Sequence, residues 1–162
     1  MELQIRPFES EDIETILDIA VAAWQPVFES TREIVGGELY DLIYADPDAR
    51  KRRSVAAQCA ANSPTLVWVA ELRGQIAGFV TLDMNSDTLV GEIGNNAVSP
   101  AHQHQGIGTQ MYDFVLAHMK ELGMKSAVVT TGGDEAHAPA RRAYEKAGFA
   151  GAVPSVEYHI KF

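Results

Sequence analysis

The chain has 162 residues, a formal charge of −9 and a single cysteine, Cys59. That length suits one domain over residues 1–162, large enough to bury a core without staples. The acidic balance argues against a nucleic-acid binder, no apolar run is long enough for a membrane span, no signal peptide is expected, and a lone cysteine favours a reducing, cytoplasmic setting.

Leu3 to Pro7 reads as a strand, and Ser10 is placed to cap a helix with Ile13, Ile16, Leu17, Ala20 and Trp24 on one face. Gln25 to Gly37 is expected to be a loop, with a short helix behind it around Glu38 to Tyr44. Asp46-Pro47 opens a third helix reaching about Asn62, whose Arg50-Lys51-Arg52-Arg53 run is expected to be a solvated face. Cys59 on that helix should pack as a small hydrophobe beside Val55 and Ala56. Thr65 to Leu72 and Gln75 to Met84 form a hairpin about Arg73-Gly74, and Asn85 to Thr88 turns into a strand from Leu89 to Val98. Within that strand Gly94, followed by Asn95-Asn96, predicts a bulge or a close backbone approach.

The most informative stretch is next, Val98-Ser99-Pro100-Ala101-His102-Gln103-His104-Gln105-Gly106-Ile107-Gly108-Thr109. A strand end runs through a glycine turn into a helix whose Ile107, Met111, Phe114, Val115, Met119 and Leu122 recur at three and four. Glycine lets backbone approach a bulky anion, and a helix start presents unpaired N–H groups and positive dipole. A Walker A loop needs Lys-Ser or Lys-Thr after its last glycine, whereas Thr109-Gln110 follows here. A dinucleotide fingerprint needs a third glycine where Met111 stands. His102 and His104 lack a third ligand at useful spacing, so no metal is expected. His118 on the helix is expected to be packed or partly exposed.

Ser126 to Thr131 reads as a strand, followed by a short helix, Ala140-Arg141-Arg142-Ala143-Tyr144-Glu145-Lys146, with Pro139 in its first turn and Gly148 at its end. Gly148 to Gly151 and Ser155 to Lys161 are expected as closing strands. Gln-x-x-Gly-x-Gly after a Val-Ser-Pro strand end resembles the acetyl-CoA pyrophosphate loop of the GNAT superfamily of N-acetyltransferases. Ala140 to Phe149 resembles that family's last helix, with Tyr144 in the place of its tyrosine and His137 where it often has asparagine. The two motifs lie in the family's order and together span roughly residues 90 to 149.

The resemblance implies an α/β fold: a mixed, largely antiparallel sheet flanked by helices, with splayed central strands. It implies acetyl-CoA as cosubstrate. Gln103, His104, Gln105, Gly106, Ile107, Gly108 and Thr109 would hold the diphosphate, with His137 as a further contact. The backbone of Asn96, Ala97 and Val98 would pair with the pantetheine amides like an added strand, one N–H polarising the thioester carbonyl. The basic run on the third helix would at most reach the 3′-phosphate.

N-acetyl transfer must solve two proton problems. An alkylammonium has a pKa near ~10, so about one molecule in a thousand is nucleophilic at neutral pH, a deficit of roughly 4 kcal/mol. The departing thiolate then needs a proton. The resemblance places Tyr144 beside the sulfur as the acid, since a phenol stays protonated until thiolate charge develops. Glu92 stands eleven residues before Gln103, the spacing of the base in the histone-acetylating branch, and as a carboxylate would work through water. Trp24, Phe28 and Asn95 are the acceptor-side candidates, alongside Pro26, Tyr40 and Tyr44. Asn95 and Asn96 have a plainer alternative, satisfying local backbone. Cys59 lies outside both motifs, which favours direct transfer to a small-molecule or peptide amine. The alternatives are another acyl group, a hydroxyl acceptor, or a silent acyl-CoA-binding sensor. No nucleic-acid or membrane partner is expected, and the C-terminal strand offers an edge to a homodimer.

Overall fold

The computed structural model describes residues 3–162. One five-stranded sheet runs in the order β1-β2-β3-β4-β5. β1 (Leu3–Pro7), β2 (Leu66–Leu72), β3 (Gln75–Asn85) and β4 (Val90–Val98) are antiparallel neighbours, and β5 (Ser126–Val129) joins β4 in parallel. The β2–β3 hairpin turns on Arg73 and Gly74, both left-handed at φ 54° and 78°, as a two-residue hairpin requires.

Helices cover both faces. α1 (Ile13–Val35), α2 (Gly37–Ile43) and α3 (Pro47–Cys59) precede β2; α4 (Ile107–Glu121) and α5 (Ala138–Lys146) follow β4 and β5. Ile16, Ala20 and Val55 from α1 and α3 pack on Val69 and Phe79 of the sheet. Ile107, Met111, Val115 and Met119 of α4 and Tyr144 of α5 pack on Trp68, Val80, Leu82 and Ile93 from the other side. Strands covered on both faces lose the polar alternation of a half-exposed sheet, and β3 is accordingly buried from Ala77 to Leu82.

Three expectations need correction. Ser10 makes no capping bond; the Asp12 carboxylate accepts from the Glu9 N–H at 2.8 Å, and Arg6 grips the same carboxylate at 2.7 Å. That guanidinium holds the Asp12 carboxyl below its ordinary range. Gln25 to Gly37 is not a loop: α1 continues through Pro26 to Val35 and stops at Gly36, φ 88°. An interior proline costs about 3 kcal/mol, but this stretch is held from across the chain, Trp24 against the His137 ring and Ser30 Oγ donating to Asp134, and the helix continues. Finally, no strand follows α5. Gly148 and Gly151 turn left-handed at φ 99° and 72°, Pro154 has no ladder donor, and the tail is tied to α2 by Lys161 to Glu38 and by His159 to Tyr44.

Candidate active site

The glycine turn is built by two left-handed residues, His104 at φ 62° and Gly106 at φ 76°, which swing the chain from β4 into α4. Ile107 is buried and anchors the helix start in the core, so only backbone is offered outward there. Gln103 donates to the Val98 carbonyl at 3.2 Å and ties the turn to the strand end. Gln103, His104, Gly106, Ile107, Gly108 and Thr109 line a cleft of ≈ 1130 Å³; Gln105, also expected there, does not line it. A Cβ at Gly108 would meet nothing nearer than 3.8 Å, so the protein's own packing does not demand glycine. The space it keeps clear lies at the N-terminus of α4, which fits a diphosphate. Gly108→Ala is therefore expected to raise thermal stability slightly, since alanine is favoured in a helix by about 1 kcal/mol. The same variant should weaken acetyl-CoA binding by calorimetry, so stability and affinity move in opposite directions.

Above the turn the sheet opens. β5 pairs with β4 only from Val90 to Ile93. There β4 bulges, with Gly94 and Asn95 both set against Thr81. A Cβ at Gly94 would lie 2.6 Å from Thr81 Oγ1 and 2.8 Å from Gln58 Nε2, so glycine is required. The bulge sends Asn95 toward α3 and leaves Asn96 facing α4 and α5. The cleft reaches both sides of the sheet through this gap, and Asn96, Ala97 and Val98 line it beyond the last β5 pairing.

On the α5 side, one amide organises two phenols. Asn96 Oδ1 accepts from Tyr112 Oη at 2.8 Å, while its Nδ2 donates to the Gly94 carbonyl at 3.0 Å and to Tyr144 Oη at 3.1 Å. The carbonyl of Gly94 can only accept, so the amide orientation is fixed. Tyr144 Oη thus receives a hydrogen bond, and its own proton has only a long 3.4 Å contact to Asn96 Oδ1, an oxygen that Tyr112 already occupies. Burial pushes the Tyr112 phenol far above its ordinary range. Asn96 serves both local backbone and the phenols.

On the α3 side the cleft is aromatic. Trp24 lies 6.0 Å from Phe28 and 5.9 Å, edge on, from His137. The His137 ring is held by the Asp134 carboxylate, which also accepts from Ser30 Oγ at 2.6 Å. Burial raises the Asp134 carboxyl, but these hydrogen bonds together outweigh it and hold the group below its ordinary range. Glu92 lies exposed on the cleft rim, register partner of Asp83, and makes no side-chain hydrogen bond among the described residues. The basic run is not a uniform solvated face. Arg52 reaches Asp18 and Glu14 on α1, Arg50 lies 5.3 Å from the Tyr44 ring, and Lys51 turns inward, 92% buried. Lys51 Nζ stands 3.4 Å from the Trp24 ring centre and 2.6 Å from Asn95 Oδ1.

Trp24, Phe28, Asn95, Glu92, Asn96, His137 and Tyr144 are thus gathered on one cleft. Sequence reasoning missed Lys51, Tyr112 and Asp134. Tyr112 carries a legible signal, lying four residues after Gly108 on the same helix face. Lys51 carried none, because a lysine inside a basic run looks solvated.

The acetyltransferase (GNAT) family model matches residues 24–149. No protein of curated function matches the chain in sequence. Among solved structures, the PaiA N-acetyltransferase of Thermoplasma acidophilum, in complex with coenzyme A, is 19% identical with a TM-score of 0.68, covering 93% of this chain and 91% of that one. A GNAT family acetyltransferase of Brucella melitensis, in complex with acetyl-CoA, is 22% identical with a TM-score of 0.64, covering 98% and 96%. The ribosomal-protein-S18-alanine N-acetyltransferase of Escherichia coli is 18% identical with a TM-score of 0.67, covering 94% and 80%. These structures share the open sheet and flanking helices. With the family model spanning most of the chain, both motifs included, the protein belongs to the GNAT family of acetyltransferases, whose cosubstrate is acetyl-CoA.

Proposed function

We propose that the protein moves an acetyl group from acetyl-CoA directly to an amine of a small molecule or peptide. The observation that carries this reading is the single cleft running from the glycine turn, past Tyr144, through the β4–β5 gap to the aromatic wall around Trp24. Acetyl-CoA supplies an acyl group already activated as a thioester. The start of α4, with Gly106 and Gly108, holds the diphosphate; the free edge of β4 at Asn96 to Val98 pairs with the pantetheine amides. Tyr144 gives its proton to the departing sulfur, while Glu92 on the rim passes protons to solvent through water. Trp24, Phe28 and Asn95 form the acceptor side.

Direct transfer is supported by Cys59. It does not line the cleft, packs beside Val55 and Ala56, and burial pushes its thiol up to about 11, far from a reactive thiolate. That single unpaired thiol also supports a reducing, cytoplasmic setting. No helix among the described residues is long and apolar enough to cross a membrane. The exposed tail, apolar at Val156, Tyr158, Ile160 and Phe162, supports a homodimer, which sedimentation would reveal.

The test is thiol release from acetyl-CoA against polyamines, aminoglycosides, amino acids and short peptides, with calorimetric acetyl-CoA binding on the same sample. Release with one acceptor class is the expected result. Binding without release for any amine would favour the sensor, and no binding would overturn the proposal.

A further inference from the structure

We propose that Lys51 is the base that takes the proton from the acceptor ammonium. The proposal rests on the acetyltransferase reading above and names a residue of that site which neither family motif contains.

The case starts from hydrogen-bond capacity. An uncharged amine has two N–H groups and one lone pair; an ammonium has three N–H groups. Around Nζ the protein supplies two electron-rich partners, Asn95 Oδ1 at 2.6 Å and the face of Trp24 with its centre 3.4 Å away. Asn95 cannot swing away, because its Nδ2 donates to Gln58 Oε1 at 2.7 Å and Ser54 Oγ at 3.1 Å. Gln58 Oε1 is itself held by Thr81 Oγ1 at 3.1 Å. Two of the three positions on Nζ are therefore occupied by protein, the third has no protein partner among the described residues, and Lys51 lines the cleft. That third position is a lone pair when the amine is neutral.

No counter-charge is provided. None of the ion pairs among the described residues includes Lys51, although its helix neighbour Arg52 has two carboxylates. The other titratable groups on the cleft walls are Asp83 and Glu92 of the sheet, His102 and His104 of the glycine turn, Tyr112 of α4, His137 and Tyr144, Tyr40 and Tyr44, and Arg50 on its own helix. Desolvation brings the amine down to about 7, where a base for neutral-pH chemistry is most effective. Glu92, exposed at the rim, is then an exit for the proton, not its first acceptor.

The step balances. The ammonium proton passes to the Lys51 lone pair, and the freed nitrogen pair forms the N–C bond to the thioester carbonyl as the C–S bond breaks. The second nitrogen proton replaces the one that Tyr144 gives to the sulfur, leaving an amide, a free thiol and Lys51 charged. Lys51 then returns its proton to solvent.

Two measurements on the full chain test this. The first follows the 13Cε resonance of Lys51, assigned with Lys51→Arg, through a pH titration of the free protein. A midpoint near 7 is expected; a midpoint near that of ordinary lysines, ~10, overturns the proposal whether or not an acceptor has been found. The second compares thiol release by wild type, Lys51→Met and Lys51→Arg across pH, with an amine that wild type acetylates. Both variants should lose about 10²- to 10⁴-fold at pH 7, the usual worth of a positioned base, with unchanged acetyl-CoA affinity. The loss should shrink tenfold per pH unit toward the acceptor's own pKa near ~10. Recovery of turnover by Lys51→Arg would make the residue a fixed cation that orients an acidic acceptor, and would overturn the base role. Absence of release by wild type with every amine would instead be a failure of the acetyltransferase reading, and the titration midpoint separates the two.

Discussion

Replacing Tyr144 by phenylalanine should lower kcat by about 10²- to 10⁴-fold, the usual worth of a positioned acid, while leaving acetyl-CoA affinity nearly intact. The side chain is 6% exposed and its ring packs 4.9 Å from that of Tyr112, so phenylalanine keeps the shape. What is lost is one oxygen, and with it the donor beside the departing thiolate. The geometry explains why that oxygen is ready to donate. Asn96 already gives Tyr144 Oη a hydrogen bond, and Tyr112 occupies Asn96 Oδ1 at 2.8 Å, leaving Tyr144 only a long 3.4 Å contact with that atom. A modest structural cost accompanies the change, because one Asn96 N–H loses its partner, worth about 1–3 kcal/mol. Steady-state kinetics beside calorimetry separates the two effects. Unchanged turnover would remove Tyr144 from the chemistry, and lost acetyl-CoA affinity would make it a binding residue.

Much of this site was legible in the sequence because its backbone chemistry is local. Gly106 and the helix behind it, Gly94 at the bulge, and the α5 helix with Tyr144 each declare themselves through residue types that few other conformations tolerate. Secondary structure failed where a long-range contact overrode a local rule. Pro26 says loop, yet the face carrying Trp24, Phe28 and Ser30 finds partners in His137 and Asp134, more than a hundred residues away, and the helix continues. The tail failed in the opposite sense: its alternating apolar residues read as a strand, but no strand of this chain pairs with it among the described residues. The direction of Lys51 was unreadable for a further reason. Arg52 and Lys51 are adjacent on one helix, and only the position of α1 decides that the first meets Asp18 while the second points at Trp24.

Lys51→Met should make the protein more stable near pH 6, by about 3 kcal/mol, an advantage that fades as the pH rises toward 10. The sign follows from linkage. In the unfolded chain a lysine keeps its proton to about 10.4, whereas Lys51 in the fold releases it near 7 because burial disfavours the charge. Between those values the unfolded state binds more protons, so wild-type stability climbs with pH across that window. Below it both states are charged and the fold bears the whole penalty, roughly 5 kcal/mol. Methionine removes that penalty and keeps the apolar stem, but gives up the Trp24 contact and the Asn95 bond, together about 2 kcal/mol. For a domain of this size the remainder corresponds to a rise of roughly 6–12 °C in Tm at pH 6. Thermal melts of both proteins from pH 6 to pH 9.5 measure it. A gap that stays constant with pH would mean that Lys51 is charged throughout, with its desolvation offset by contacts to the cation. A gap that closes with rising pH means the fold tolerates a destabilising amine at the point where the reaction needs a proton acceptor, a trade of stability for activity that active sites commonly make.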